Sequence, residues 1–234
     1  MVLVVIPARY DSSRLPGKAL ADIGGAPMVV RVWERVRRAE GVDRVLVATD
    51  DARIADAVRQ RGGDVVVTGP CESGTDRVAL AARGSGARVV VNVQGDEPFL
   101  EPADVARVAS AVNEANPIAT AAAPLEAGAE DPARVKVVCD AEGRALYFSR
   151  APIPTGGPFR LHVGMYAFTA DALERIARLP PSPLERAERL EQLRWLEAGM
   201  RIRVVPVPAG PVSVDTPADL ERARALWNSR LRRG

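Results

Sequence analysis

Short runs of apolar residues alternate along this chain with segments in which apolar positions return every three or four residues. Val2–Ile6 is a continuous apolar run closed by Pro7 and reads as a strand, while residues 27–39 carry Met28, Val32, Val36 and Ala39 on one helical face. The alternation continues as strand 44–48, helix 52–61 closed by the Gly62-Gly63 pair, strand 65–67, helix 74–83, and strand 89–91 running into Asn92-Val93. Helix 102–115 and strand 118–123 follow. Strands that are apolar throughout are covered on both faces, which predicts an α/β fold with a mostly parallel sheet flanked by helices. Beyond a loop rich in Pro, Glu and Gly the order loosens. Strands are expected at 134–139, 145–148 and 161–168, helices at 170–178 and 183–198, strand 201–207, and a last helix at 217–232. Residues 151–160 hold Pro152, Pro154, Pro158 and Gly156-Gly157, and read as irregular. No repeat or linker divides the chain, so the expectation is a single domain over 1–234 with a strand-rich lobe inserted around 125–170.

Composition narrows the chemistry. The 234 residues carry 32 Lys and Arg against 30 Asp and Glu, a net charge of +2, with no basic stretch interleaved with aromatics. That balance gives no sign of a nucleic-acid partner. Cys71 and Cys139 are too few for a disulfide framework and lack metal-ligand spacing, so they read as two small free thiols. The apolar run after Met1 lacks the basic head and length of a signal peptide, and no run approaches the ~20 apolar residues of a membrane span. A cytoplasmic location without membrane insertion is expected. Only Lys18 and Lys136 among the 32 cations are lysine, and His162 is the one histidine. Chemistry is therefore best sought around these three.

Lys18 ends the loop Pro7–Lys18, which follows the first strand and holds Arg9, Ser12, Ser13, Arg14 and Gly17. In an open parallel sheet, ligands sit beyond the carboxyl ends of the strands. Arginine forks, a lysine point charge and glycine-exposed N–H groups are what a polyphosphate requires. The loop has neither the dinucleotide glycine pattern nor a Walker A sequence. The second motif, Asn92–Pro98, places Asp96 at the end of an apolar strand, where a carboxylate suits a hard divalent cation. Its candidate partner is Asp215, although an Asp or Thr before Pro217 is equally well placed to cap the last helix. The third motif, Glu72–Arg77, either caps a helix or presents N–H groups, hydroxyls and Arg77 to a base or ribose.

Taken in order, these segments resemble the 3-deoxy-manno-octulosonate (Kdo) cytidylyltransferase family. The matching pieces are IPARYDSSRLPGKAL, DRVLVATDD, ESGTDR, VVNVQGDEPF, KVVCDAEGRALYFSRAPIP, HVGMYAF, SPLERAERLEQLRWLEAG and VSVDTPADLERAR, from residue 4 to about 224. The resemblance implies a Rossmann-like nucleotidyltransferase fold and transfer of CMP from CTP to Kdo with release of pyrophosphate. It implies a homodimer formed through the inserted lobe. It also implies that Ala8, Arg9, Arg14, Lys18, Ser73, Gly74, Arg77 and Gln94 meet the nucleotide, with Lys18, Arg14 and Asp96 catalytic. Asp96 and Asp215 would hold Mg²⁺. Gln94, Arg150, His162, Tyr166, Glu191 and Gln192 would meet the acceptor.

On the residues alone, His162 opens a strand and by default faces solvent or caps, but Tyr166 lies four positions on, hence on the same face. Glu191 and Gln192 sit in a helix whose Leu184, Ala187 and Leu190 look like core, and Glu191 is by itself an ordinary solvated residue. Lys136 either reaches a site or faces solvent. One departure from the family is the short segment Thr155–Leu161, where the family carries a longer loop, and it leaves the acceptor open between Kdo, an amino-Kdo relative and another acid. A nucleotide-binding regulator without turnover is a further alternative, opposed by the intact Arg14, Lys18, Asp96 and Asp215. An NAD-dependent oxidoreductase is disfavoured by the missing glycine fingerprint.

Overall fold

The computed structural model describes residues 1–12, 14–210 and 212–231; Ser13 of the first loop and Arg232, the expected end of the last helix, lie outside the described residues. The chain packs as two compact units, Met1–Ala87 with Asn92–Ala106 and Pro211–Gly234, and Arg88–Val91 with Arg107–Gly210. The second is wider than the 125–170 lobe expected from the sequence.

In the first unit, β1 (Val2–Ala8) lies between its neighbours as a fully apolar strand. It pairs in parallel with β2 (Arg44–Thr49), which pairs in parallel with β3 (Asp64–Val67). Helices α1 (Met28–Val36), α2 (Ala52–Arg59) and α3 (Gly74–Ala82) follow the strands in turn. Leu3, Val4, Val5 and Ile6 are wholly buried, each side chain gaining about 1.5–3 kcal/mol from leaving water. The loop after β1 closes on itself. Gly17 takes φ 70° and donates its N–H to the Tyr10 carbonyl at 3.0 Å, and a 3₁₀ turn, Lys18–Leu20, follows. That turn was not foreseen from the sequence.

The second unit holds β4 (Val89–Asn92), β5 (Ile118–Leu125), β6 (Lys136–Cys139), β7 (Ala145–Ser149), β8 (Phe159–Thr169) and β9 (Ile202–Pro206). The strand order is β4-β8-β5-β9, with β6 paired to β8 and β7 to β6. β5 runs parallel to β9 and antiparallel to β8. Opposite the step from Thr120 to Ala121, β8 carries extra residues, so Thr120 faces Tyr166 while Ala121 faces Val163. β8 begins at Phe159, inside the stretch expected to be irregular.

Two helices differ from their periodicity. α4 (Pro102–Ser110) stops short of residue 115, because the Asn113 side chain accepts the Asn116 N–H at 2.9 Å and offers the backbone a turn in place of the helix. After α5 (Ala170–Ile176), the expected helix 183–198 is two helices, α6 (Pro183–Glu188) and α7 (Gln192–Glu197), parted by Arg189 at φ 55°. Ser182 and Glu185 form a capping box that starts α6. Leu184 is 36 % exposed, whereas Leu190 and Leu193 are buried, so only the second half of the apolar stripe reaches the core.

A core cluster of Ile23, Met28, Phe99, Val214, Leu220 and Ala223 joins α1, the segment after Asp96, and α8 (Pro217–Leu231). Trp227 packs on this cluster with the Arg31 guanidinium over its ring at 4.2 Å. Gly24 lies beneath that ring at φ 61°, and a Cβ there would come within 2.2 Å of it. Gly24→Ala is accordingly expected to lower the unfolding free energy by about 2–4 kcal/mol, from left-handed backbone strain and overpacking together. Urea unfolding checks this, and an unchanged midpoint would contradict the packing described.

Candidate functional site

Beyond the carboxyl end of β1 lies a cleft of about 310 Å³ in the first unit. Every residue expected to meet the nucleotide lines it: Ala8, Arg9, Arg14, Lys18, Ser73, Gly74, Arg77 and Gln94, together with Asp96 and Asp215. The Val214 N–H donates to the Asp96 carbonyl at 2.9 Å, and this main-chain bond sets the two acidic segments side by side. Lys18 Nζ donates to Asp96 Oδ2 at 2.6 Å and to Asp215 Oδ1 at 3.0 Å. Arg14 Nη2 lies 2.8 Å from the same Asp215 oxygen. Burial opposes the charge on Lys18, but Asp96 and Asp215 more than offset it and hold its pKa above the usual lysine value. The ammonium is therefore charged throughout the physiological range.

The capping role that Asp215 was equally placed to fill is taken by its neighbour. Thr216 Oγ1 accepts the Asp219 N–H at 3.2 Å, and the Asp219 carboxylate accepts the Thr216 N–H at 2.8 Å. The helix start is thus satisfied by Thr216 and Asp219, and the Asp215 carboxylate turns to Lys18 and Arg14. Glu97, which sequence reasoning passed over, is buried beside Asp96 with Oε2 lacking a partner among the described residues. Burial, followed by the charges of Asp96 and Asp215, pushes its pKa up to about 8. A neutral carboxyl there adds no third negative charge to the pair. Its only signal in the sequence was adjacency to Asp96.

Ser73 caps α3 reciprocally with Asp76, its Oγ accepting the Asp76 N–H at 3.1 Å. Arg77 is 4 % exposed; it bonds to Thr68 Oγ1 and reaches Asp50 Oδ2 at 2.6 Å, so its guanidinium also ties α3 to the strand ends. Gln94 donates to Asn92 Oδ1 at 3.2 Å. Gly95 approaches β1 so closely that a Cβ would stand 3.0 Å from the Pro7 carbonyl oxygen, which accounts for glycine in that motif. Cys71 and Glu72 line the cleft as well and had not been assigned to it. Both cysteines are free.

The second unit gathers the remaining candidates around β8. His162 and Tyr166 have ring centroids 5.4 Å apart, and Trp195 meets Tyr166 edge-on at 4.9 Å. Tyr166 is buried, with its hydroxyl unpartnered among the described residues. Burial and then the Glu191 charge raise its pKa well above the usual value. Glu191 pairs with Arg194, and Gln192 is 5 % exposed. The Arg150 guanidinium donates to the main-chain carbonyls of Glu188, Pro132 and Arg189 at 2.8, 2.8 and 3.2 Å. Three of its N–H groups therefore hold backbone rather than standing free.

His162 Nε2 lies 3.0 Å from Thr120 Oγ1. Thr120 Oγ1 also lies 2.8 Å from the Met165 carbonyl and 3.2 Å from the Val163 carbonyl, so one hydroxyl meets the His162 ring and two carbonyls of β8. Burial draws the His162 pKa down to about 3. Because the folded value lies below the unfolded one, neutral His162 costs the fold nothing above about pH 6.5, and the penalty for staying neutral grows as pH falls from there toward 3. As the chain has one histidine, its ring ¹⁵N signals need no assignment. They are expected to stay those of a neutral imidazole from pH 8 to 4.5, and a titration centred near 6.5 would contradict the lowered pKa.

Known proteins resemble the chain in sequence and in fold. A family model described as Cytidylyltransferase matches residues 3–202. The 3-deoxy-manno-octulosonate cytidylyltransferase of Anaeromyxobacter sp. (strain K) is 54 % identical over 234 residues, covering 96 % of this chain and 97 % of that one. Among solved structures, a CMP:2-keto-3-deoxy-manno-octonic acid synthetase complexed with CTP superposes with a TM-score of 0.94 at 44 % identity, covering 98 % of this chain and 99 % of that one. A nucleotidyl transferase from Methanothermobacter thermautotroptrophicus shares the fold at 19 % identity, with a TM-score of 0.68 over 98 % of this chain and 99 % of that one. The expected α/β nucleotidyltransferase fold is therefore the observed one. Along nearly its whole length the chain belongs to the cytidylyltransferase family and, within it, to the 3-deoxy-manno-octulosonate cytidylyltransferases.

Proposed function

We propose that the chain transfers CMP from CTP to the anomeric hydroxyl of 3-deoxy-D-manno-octulosonate, giving CMP-Kdo for lipopolysaccharide synthesis and pyrophosphate. The observation that carries this reading is the convergence of Lys18, Arg14, Asp96 and Asp215 beyond the end of β1, in a chain 54 % identical to a relative of that name. In the reaction the hydroxyl oxygen bonds to the α-phosphorus and loses its proton. The bond from the α-phosphorus to the bridging oxygen breaks, and its electron pair leaves with pyrophosphate. No protein nucleophile is required, so the work of the residues is positioning and charge stabilisation. Arg9, Arg14 and Lys18 take the triphosphate, and Lys18, held charged, offsets the negative charge that builds on the leaving group. Ser73, Gly74, Arg77 and Gln94 serve the nucleoside end, and Ala8 contributes main chain.

Asp96 and Asp215 are the residues that would hold Mg²⁺. Hard carboxylate oxygens within reach of one ammonium suit that ion, which commonly takes one or two carboxylates and completes its shell with water and phosphate. Bound there, the ion would neutralise phosphate charge and orient the oxygens. Arg150, His162, Tyr166, Glu191 and Gln192, with Gln94, take the acceptor. The protein works as a single catalytic domain in the cytoplasm and as a homodimer through the inserted lobe around 125–170. No helix among the described residues is long and apolar enough to cross a membrane.

Pyrophosphate release with CTP, Mg²⁺ and Kdo tests the reading directly, and turnover with another sugar acid but none with Kdo would overturn the acceptor assignment. Asp96→Asn is expected to lower kcat/KM by about 100-fold or more, with stability within about 1 kcal/mol of wild type because the pair it breaks is part-exposed. Retained activity would remove Asp96 from the site. Lys18→Met is expected to lose about 10²-fold in kcat, and an unchanged rate at limiting CTP would count against its phosphate role.

A further inference from the structure

Lys136 neither reaches a cleft nor faces solvent. Its side chain is wholly buried in the second unit, and no step above employs it. Nζ donates to the Arg150 carbonyl at 2.5 Å and to the Asp131 carbonyl at 3.2 Å. Burial lowers its pKa, the charges of Asp131, Glu188 and Glu130 working against that and Arg150 adding to it.

The residues around Lys136 form one brace. The Arg150 N–H donates to Glu188 Oε2 at 2.8 Å, and Ser149 Oγ donates to Glu188 Oε1 at 2.6 Å. The Arg150 guanidinium binds the carbonyls of Pro132, Glu188 and Arg189. The end of β7, the 131–132 loop and the end of α6 are thereby tied together. Arg189, whose carbonyl closes this brace, is the one non-glycine residue with positive φ among the described residues. Its turn is what separates α6 from α7 and starts the new helix at Glu191 and Gln192. The turn has local support, since the Arg189 N–H and, at 3.3 Å, the Leu190 N–H both reach the Glu185 carbonyl, but a left-handed non-glycine residue carries a strain that its surroundings must also offset. Here those surroundings are Arg150 and Glu188, and Lys136 fixes the carbonyl of Arg150 from the opposite side.

We propose that Lys136 is a positioning residue for the acceptor: by clamping the Arg150 and Asp131 carbonyls it holds the left-handed turn at Arg189, from which Glu191 and Gln192 are presented. This rests on the reading that assigns Glu191 and Gln192 to the acceptor. Methionine at 136 fills a similar volume but leaves both carbonyls without their donor. Glycine at 189 adopts positive φ without steric cost and makes the turn independent of the brace.

The test is steady-state pyrophosphate release, with KM for CTP and for Kdo measured separately on Lys136→Met, Glu191→Ala, Gln192→Ala and the double variant Lys136→Met/Arg189→Gly. Lys136→Met is expected to raise the Kdo KM about tenfold or more while the CTP KM stays within twofold, and the double variant to recover most of that rise. Should Lys136→Met not fold, Glu188→Gln, which keeps the volume and removes the carboxylate, is measured for the same split. An unchanged Kdo KM in the folded variant, or Kdo and CTP constants rising together, overturns the positioning role. So does a rise that Arg189→Gly does not relieve. If Glu191→Ala and Gln192→Ala both leave the Kdo KM unchanged, the acceptor reading beneath the proposal fails instead, and the role with it.

Discussion

The hydrogen bond from the Val214 N–H to the Asp96 carbonyl is the constraint on which the cleft beyond β1 depends. It joins the segment after β4 to the segment before α8 and brings two carboxylates within reach of one ammonium. Two such carboxylates repel each other by about 3 kcal/mol in a partly screened setting, so they stay together only where the backbone is already committed. The apolar cluster of Ile23, Met28, Phe99, Val214 and Leu220 supplies that commitment from beneath. The charges above it are then compensated by Lys18 and Arg14. Glu97, with its pKa near 8, stays largely neutral and spares the pair a third charge. Hydrophobic packing and one main-chain bond thus create a site that electrostatics alone would disperse.

The second unit meets the same difficulty, polar groups near a core, by another route. His162 is kept neutral by burial and directed by Thr120, whose hydroxyl fills the irregularity in β8. Lys136 and Arg150 spend their donors on main-chain carbonyls, and Glu188 accepts from the Ser149 hydroxyl and the Arg150 N–H. Of the three only Lys136 is wholly buried, and removing it leaves two carbonyls without their donor. The network therefore defines a shape more than it adds stability, and the shape it defines is the break between α6 and α7.

Legibility followed the range of the interactions. β1, β2 and the α1 face were plain from apolar runs and helical spacing, because burial on both sides leaves no other pattern. The cap at Ser73 was readable because a side chain and the N–H it meets lie three residues apart. The break at Arg189 was not: Leu184, Ala187 and Leu190 keep a helical period straight through it, and the left-handed cap that closes on the Glu185 carbonyl is joined by contacts of Glu188 and Arg189 with Ser149 and Arg150, some forty residues away. Asp215 was undecided for a related reason. Asp215 and Thr216 are equally good caps on paper, and only the completed geometry shows Thr216 and Asp219 serving each other.

The sequence by itself determined the α/β alternation, the cation-rich loop after β1 and the acidic motif at Asp96, since each is written in neighbouring residues. It also carried, through the family resemblance, the roster of residues for nucleotide and acceptor. Only the tertiary structure decided that Asp215 is free of capping duty, that Glu97 sits uncharged beneath the pair, and that Lys136 is buried between two carbonyls. Each of those outcomes turns on where segments distant in the chain come to lie and on how much water they exclude. No local pattern records either quantity.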